Sequence, residues 1–158
     1  MGVAVTLDNF LKTKDIDFDV VHHPYTEGSY NTAVSANIPA TALIKGVVFR
    51  DEDFHYTMAV IPASNRVLRH TLNQVFDRHL VLADEDELEN IFFDCEHGAI
   101  PSFGQAYGIN VIWDEQLLEA PDFWLEAGDH EHLIHVSKAD FERLMQSCMH
   151  DRISGHRH

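Results

Sequence analysis

Hydrophobic positions recur three or four residues apart in several stretches of the chain, which is the spacing of one face of an α-helix. An opening helix is expected after Thr6, a residue type that caps helices. Asp84 and Glu87 have the spacing of a capping box, and Ser137 and Asp140 repeat that signal near the end of the chain. Together these signals predict five helices, near residues 7–14, 32–37 (ended by Pro39), 68–76, 84–92 and 138–145.

Alternating or continuous apolar runs predict the strands. Residues 43–49 and 54–61 flank the acidic turn 51–53 and are typical of a hairpin. Further strands are predicted at residues 17–21, 79–82, 110–113, 123–126 and 132–136. Because several neighbouring strands are joined as hairpins, we expect a central mixed, mostly antiparallel sheet flanked by helices. The predicted fold class is α/β (mixed α+β), with one domain over residues 1–150 and a frayed tail at 151–158.

Composition narrows the class of protein. The chain has 158 residues, of which 45% are hydrophobic and 23% charged, so intrinsic disorder is excluded for the chain as a whole. No apolar run approaches the roughly 20 residues that cross a bilayer, and no basic region followed by an apolar core marks a secretion signal. Cys95 and Cys148 are too few for a disulfide framework. We therefore expect a cytoplasmic protein that does not associate with a membrane.

The charge balance limits the partners. Eleven Lys and Arg residues stand against 26 Asp and Glu residues, which gives a net charge of −15. Proteins that coat duplex DNA obtain their affinity from many Lys and Arg contacts to phosphates, so that class is disfavoured. The 12 histidines add little positive charge at neutral pH. A small basic site remains possible in the first half of the chain, where most of the cations lie.

Lys45 lies inside an apolar strand pattern, where lysine is uncommon. Its side chain either extends along the strand to solvent or stands at the mouth of a cleft. In the second case the ammonium would bind a phosphate or ribose oxygen. The residues around Lys45 do not decide between the two.

The segment from Gly98 to Gly104 combines glycines, which permit unusual backbone angles, with the rigid Pro101. Such a loop can direct backbone N–H groups at a developing oxyanion, as acyl transfer requires. It can also be an ordinary connection between two elements, which is the interpretation that composition alone favours.

The histidine and cysteine patterns offer two alternatives, a metal site and covalent catalysis. Residues 128–135 contain several possible metal ligands, but His132 and His135 have the odd spacing that places them on opposite faces of a strand. Cys95 and His97 are too close in the chain for proton transfer, and no third group orients them. The sequence therefore predicts no metal site and no covalent catalysis.

Read in order, five stretches of the chain resemble the YbaK/ProX family of aminoacyl-tRNA deacylases, which includes the editing insertion of bacterial prolyl-tRNA synthetases. These stretches are Ala42–Phe49 with its strand lysine, Met58–Pro62, Phe93–Gly104, Val111–Asp114 with Leu117, and Trp124–Asp129. Each motif is short, but their order is kept over nearly the whole chain. The resemblance implies a YbaK/ProX-like fold whose cleft receives the 3′ end of a mischarged tRNA and hydrolyses its aminoacyl ester.

The resemblance also implies roles for particular residues. Lys45 would anchor the terminal nucleotide, and the loop Gly98, Ala99, Ile100 and Pro101 would present its N–H groups to the ester carbonyl. Five residues would line the substrate pocket: Ser102, Glu126, Gly128, Asp129 and His130. Ser102 stands where family members commonly have a second proline, which is expected to loosen the loop. His130 would donate to the ester or orient water, or would be a solvent-exposed turn residue.

The expected function is thus a free-standing editing deacylase with no cofactor. Its partner would be the 3′ end of aminoacyl-tRNA, with a synthetase as a possible second partner. The alternative is a catalytically silent module that holds an aminoacyl or nucleotide-like ligand in the same cleft. A histidine-rich metal-binding protein is a third possibility, which would require stoichiometric metal.

Overall fold

The computed structural model describes residues 2–156. In that range the chain forms five α-helices: α1 Val5–Thr13, α2 Ser29–Ala36, α3 Arg69–Phe76, α4 Glu85–Ile91 and α5 Lys138–Met145. The same range contains ten strands: β1 Asp19–His22, β2 Ile44–Arg50, β3 Tyr56–Pro62, β4 Asn65–Val67, β5 Val81–Leu82, β6 Asn110–Asp114, β7 Asp122–Glu126, β8 His132–Ser137, β9 Met149–Asp151 and β10 Ser154–His156. Two short 3₁₀ helices cover Gly104–Tyr107 and Glu115–Glu119. The predicted mixed α/β class is confirmed.

The central sheet has five strands in the order β5-β2-β3-β6-β9. The predicted hairpin is present, and β2 pairs antiparallel with β3 from Ile44 opposite Pro62 to Arg50 opposite Tyr56. Strand β6 lies parallel to both β3 and β9, so this sheet is mixed, as expected. The remaining strands form two antiparallel sheets, β1-β8-β7 and β4-β10, instead of joining the central one.

The central sheet is buried on both faces. Alternate residues of β3 belong to two different clusters: Met58 and Val60 pack with α1 and α5, whereas Ala59 and Ile61 pack with α3. A third, smaller cluster joins Leu43 to Ala33 of α2. In the described range no helix is long and apolar enough to cross a membrane.

Two of the three predicted helix caps are confirmed. Asp84 and Glu87 form a complete capping box at α4, and the Ser137 hydroxyl accepts from the backbone N–H of Asp140 at α5. The Thr6 cap is wrong: α1 begins after Ala4, and the Thr6 N–H instead donates to the Asp94 carboxylate at 2.8 Å. Helix α2 begins three residues earlier than predicted and ends at Asn37 in the left-handed conformation, before Pro39 is reached.

The predicted frayed tail is wrong for residues 151–156. Strand β10 pairs with β4, and Ile153 and Ser154 are buried. Asp114 at the end of β6 explains this order, because its carboxylate accepts from the Ile153 N–H and the Ser154 hydroxyl. These partners are about 40 residues apart in the chain, so local composition did not reveal them. Met1, Arg157 and His158, which belong to the predicted domain and tail, lie outside the described residues.

Candidate functional site

Lys45 is the second residue of β2 and is half-buried. It pairs with Ile61 of β3 on one side. On the other side of β2, strand β5 pairs with Phe49 and Arg50. Nearer to Lys45, the predicted loop and strand β7 approach this edge of β2.

The loop from Gly98 to Pro101 carries two available N–H groups. Gly98 is exposed with φ of +81°, a backbone conformation that favours glycine, while Ala99 and Pro101 are buried. The Ala99 N–H donates to the Glu96 carbonyl at 3.0 Å, and Pro101 has no N–H. In the described part of the chain the N–H groups of Gly98 and Ile100 have no hydrogen-bond partner. An oxyanion bound by this loop would therefore accept from those two residues.

Ser102 fastens the loop instead of loosening it. Its side chain is fully buried, and its hydroxyl donates to the backbone carbonyl of Ile44 at 3.3 Å. Proline could not make this bond. The bond joins the end of the loop to β2 at the residue that precedes Lys45. The Ser102 hydroxyl is thus engaged by the protein itself.

The turn between β7 and β8 is held by hydrogen bonds among its own residues and by bonds from Gly2, Ala4 and Glu96. Gly128 is buried with φ of +124°, and a β-carbon at this position would lie 3.1 Å from that of Ala4, so only glycine fits. The Asp129 carboxylate accepts from the N–H groups of Glu131 and His132 and contacts the His132 ring at 2.7 Å. Burial opposes ionisation, but these hydrogen bonds keep the pKa of Asp129 below its ordinary value. Asp129 therefore shapes the turn.

His130 is a buried residue of this turn, so the solvent-exposed interpretation is wrong. Its φ is +66°, which few non-glycine residues adopt. Nε2 donates to the backbone carbonyl of His97, next to Gly98. A carbonyl only accepts, so in the neutral ring Nδ1 is left as an acceptor. Nδ1 is buried and has no hydrogen-bond partner among the described residues.

Glu126, the last residue of β7, is half-buried, and its Oε1 is buried with no hydrogen-bond partner in the described range. Burial raises the pKa of Glu126 from 4.5 to about 7, with a smaller opposing effect from His130 and a reinforcing one from Asp129. Glu126 is therefore a carboxyl group that gains or loses its proton near neutral pH.

Three separate segments converge in this region. Leu43 and Trp124 form a parallel bridge, so the chains of β2 and β7 run side by side in the same direction. Lys45 and Glu126 each lie two residues further along, on the same face as the bridged pair. A β-carbon on Gly98 would lie 3.4 Å from Cε1 of His130. The structure thus brings Lys45, the Gly98 loop and the Glu126–His130 turn to one side of the molecule.

The histidines and Cys95 do not form a second centre here. His132 contacts Asp129 while His135 contacts Asp19 and Asp122, so these two rings do not share a ligand. Burial raises the pKa of Cys95 to about 12, which keeps the thiol protonated. Within residues 2–156 one group of acidic and histidine side chains could approach a common ion, namely Asp51, Asp53 and His55. Arg78 already pairs with Asp51 at 3.2 Å, so the most buried of these carboxylates has a cationic partner.

Sequence reasoning missed Tyr25 as a neighbour of the turn. The Tyr25 ring is exposed and lies against the His130 ring, with 5.1 Å between ring centroids. Its hydroxyl donates to Glu27 at 2.9 Å. Nothing in the local sequence around Tyr25 indicates this contact, because it depends on the pairing of β1 with β8.

A separate cavity lies next to the predicted site. It has a volume of about 390 Å³ and is lined by residues that include Ala42, Asn65, Gln116 and Trp124. Among the described residues that line it, none belongs to the predicted site. Trp124 lies two residues before Glu126 on β7, so this cavity is a neighbour of the site and not the site itself.

Glu126 gives the protein a specific pH dependence of stability. The folded state keeps the Glu126 proton to higher pH than the unfolded chain, whose pKa is near 4.5. The resulting stabilisation is complete below that pH and is lost as the pH rises through about 7. The variant Glu126→Gln lacks this dependence. We therefore expect its free energy of unfolding to rise relative to that of the wild type as the pH increases from 5 to 8, by up to about 3 kcal/mol.

Thermal unfolding of both proteins at a series of pH values measures this difference. Glu131→Gln, an exposed carboxylate five residues further on, is the control for the loss of one charge. A difference in Tm between Glu126→Gln and wild type that stays constant from pH 5 to 8 would contradict the raised pKa.

Comparisons with solved structures show the same fold. A candidate trans-editing enzyme for prolyl-tRNA synthetase is 19% identical, with a TM-score of 0.83 and 96% of each chain covered. The hypothetical protein APE2540 is 14% identical, with a TM-score of 0.83, covering 95% of this chain and 99% of that one. A candidate signal transduction protein from Marinobacter aquaeolei VT8 is 15% identical, with a TM-score of 0.76, covering 95% of this chain and 30% of that one. No curated protein matches the chain at a significant level.

The family assignment comes from the sequence itself. The model of the family described as "Aminoacyl-tRNA editing domain" matches residues 23–144. That range contains Lys45, the Gly98 loop and the Glu126–His130 turn. The resemblance drawn from the motifs is thereby confirmed, and the chain belongs to the aminoacyl-tRNA editing domain family.

Proposed function

We propose that this protein is a trans-editing hydrolase that cleaves the aminoacyl ester of mischarged tRNA. The observation that carries the proposal is the pair of unpartnered N–H groups, of Gly98 and Ile100, on a loop fastened beside Lys45. Membership of the editing domain family supports it, because the family match includes all three segments of the site.

In the proposed reaction, water adds to the ester carbonyl carbon. The carbonyl oxygen becomes an oxyanion that accepts from the N–H groups of Gly98 and Ile100. The bond between the carbonyl carbon and the ribose oxygen then breaks, and one proton from the water ends on that oxygen. The products are the free amino acid and the uncharged tRNA end. No protein nucleophile is required, which agrees with the protonated state of Cys95.

Lys45 is proposed to bind the terminal nucleotide through a phosphate or ribose oxygen. An ammonium on β2 beside the Gly98 loop would hold the ester in front of the loop, and this positioning lowers the entropic barrier to the attack by water. The net charge of −15 allows this local contact but disfavours an extended one with the tRNA backbone. We therefore expect weak binding that falls further as salt is added.

The test is hydrolysis of a panel of mischarged aminoacyl-tRNAs by wild type and by Lys45→Ala, measured as loss of labelled ester above the uncatalysed rate. We expect turnover of one class of aminoacyl-tRNA by wild type. Loss of the charged contact should reduce kcat/KM by about 10- to 100-fold in Lys45→Ala, because a hydrogen bond to a charged group contributes about 1.5–3 kcal/mol. Lys12→Ala removes an exposed lysine paired with Asp8 and is the control.

If Lys45→Ala hydrolyses the ester at the wild-type rate, the anchoring role of the lysine is refuted. No turnover of any ester by wild type, combined with tight binding of a non-hydrolysable aminoacyl-adenosine, would favour the catalytically silent module.

A further inference from the structure

The Glu126–His130 turn holds two hydrogen-bond acceptors for which residues 2–156 supply no donor. They are Oε1 of Glu126 and Nδ1 of His130, and both atoms are buried. Buried polar atoms in folded proteins are nearly always paired, and an unpaired acceptor costs about 1–3 kcal/mol. Two such atoms in one turn beside the candidate site indicate a ligand group that brings donors.

From this geometry we infer that Glu126 and His130 bind the α-ammonium group of the aminoacyl ester and so select a free amino group on the substrate. This inference rests on the proposed function. It assigns Glu126 as a specificity-determining residue and leaves the amino-acid side chain to other parts of the pocket.

The position of the ester carbonyl supports the assignment. A β-carbon on Gly98 would lie 3.4 Å from Cε1 of His130, so an ester whose carbonyl oxygen accepts from the Gly98 N–H would have its α-carbon, one bond from the carbonyl carbon, in the neighbourhood of the His130 ring. The α-carbon carries the amino group and the side chain. Of these two, only the ammonium group offers donors in every aminoacyl ester: two in a prolyl ester and three in the others.

The charges around the turn favour the same ligand. The Asp129 carboxylate acts on Glu126, and Glu27 accepts from the hydroxyl of Tyr25, whose ring packs on His130. This acidic surrounding attracts a cation. An ammonium beside Glu126 would also compensate the cost of burying the carboxylate, which an uncharged ligand would not do.

Two pairs of esters separate the amino group from every other property of the substrate. Alanyl-tRNA and lactyl-tRNA differ only in an α-ammonium against an α-hydroxyl, and phenylalanyl-tRNA and phenyllactyl-tRNA form a larger pair. Each rate is divided by the uncatalysed rate of the same ester. We expect wild type to prefer the amino ester by about 10- to 100-fold in kcat/KM, and Glu126→Gln to reduce that preference to a few-fold. Glu142→Gln, which removes an exposed carboxylate on α5 away from the turn, is the control and should keep the wild-type preference.

A binding measurement separates this inference from the proposed hydrolysis. The probes are 3′-alanylamino-3′-deoxyadenosine and its lactylamino counterpart, which contain stable amides, and calorimetry reports their affinity. Tighter binding of the alanyl amide by wild type, lost in Glu126→Gln, supports the ammonium site even where no ester is hydrolysed. Equal affinity of wild type for the two amides overturns it. A preference that follows the amino-acid side chain and is unchanged in Glu126→Gln overturns it as well.

Discussion

Replacing Gly98 by valine is expected to lower the deacylation rate by about 100- to 1000-fold, the effect of losing an oxyanion-binding donor. Gly98 has φ of +81°, which a β-branched residue avoids, so the backbone must rotate and move the N–H group away from its present direction. The new side chain would also lie against the His130 ring. Because Gly98 is exposed, the protein should remain folded with a small decrease in Tm.

Gly108 provides a matched control for this prediction. Its φ is +79°, it is exposed, and no atom lies within 4 Å of a β-carbon placed there. Gly108→Val therefore introduces the same backbone strain at the end of a 3₁₀ helix, outside the loop. We expect similar Tm values for the two variants and normal deacylation by Gly108→Val. Full activity in a folded Gly98→Val protein would refute the role of this loop.

Replacing Asp114 by alanine is expected to cause a large loss of stability. The carboxylate is fully buried and accepts from the Gln116 N–H and side chain, the Ile153 N–H and the Ser154 hydroxyl. Its removal leaves several buried donors without an acceptor, at a cost of about 3 kcal/mol or more. For a domain of this size that lowers Tm by roughly 6 to 12 °C. Thermal unfolding followed by circular dichroism measures the shift.

Asp151→Ala is the control, because it removes a carboxylate from the same part of the chain. Asp151 is exposed, and its oxygen accepts from the adjacent Arg152 N–H at 2.7 Å. We expect its free energy of unfolding to change by no more than about 0.5 kcal/mol. Equal Tm values for the two variants would show that Asp114 does not hold the C-terminal strand.

Elements with local signals were predictable from sequence. The hairpin of β2 and β3 follows from two apolar runs around an acidic turn, and the α4 capping box follows from Asp84 and Glu87. The division of the strands into three sheets was not predictable, because it depends on pairings between distant segments. The C-terminal strand β10 was missed for the same reason, because the carboxylate that accepts from the Ile153 N–H belongs to the distant Asp114.

The candidate site was also predictable only where the signal is local. The motifs indicated Lys45, the Gly98 loop and the Glu126–His130 turn, and the family resemblance assigned roles that remain proposals. The sequence did not indicate that the Ala99 N–H is already bonded, that the Ser102 hydroxyl holds β2, or that Nδ1 of His130 has no donor. Each of these facts depends on backbone geometry between segments that are far apart in the chain.

The turn that carries Glu126 and His130 is closed from the opposite end of the chain. The Ala4 N–H donates to the Ala127 carbonyl, and β1 pairs with β8 from Asp19 opposite His135. During synthesis the hairpin of β2 and β3 can form as soon as residue 62 is available, whereas this turn must wait for β8. Contacts of such long sequence separation also slow folding. The region proposed to read the substrate is therefore completed late, and a nascent chain that already contains Lys45 and the Gly98 loop does not yet have the complete candidate site.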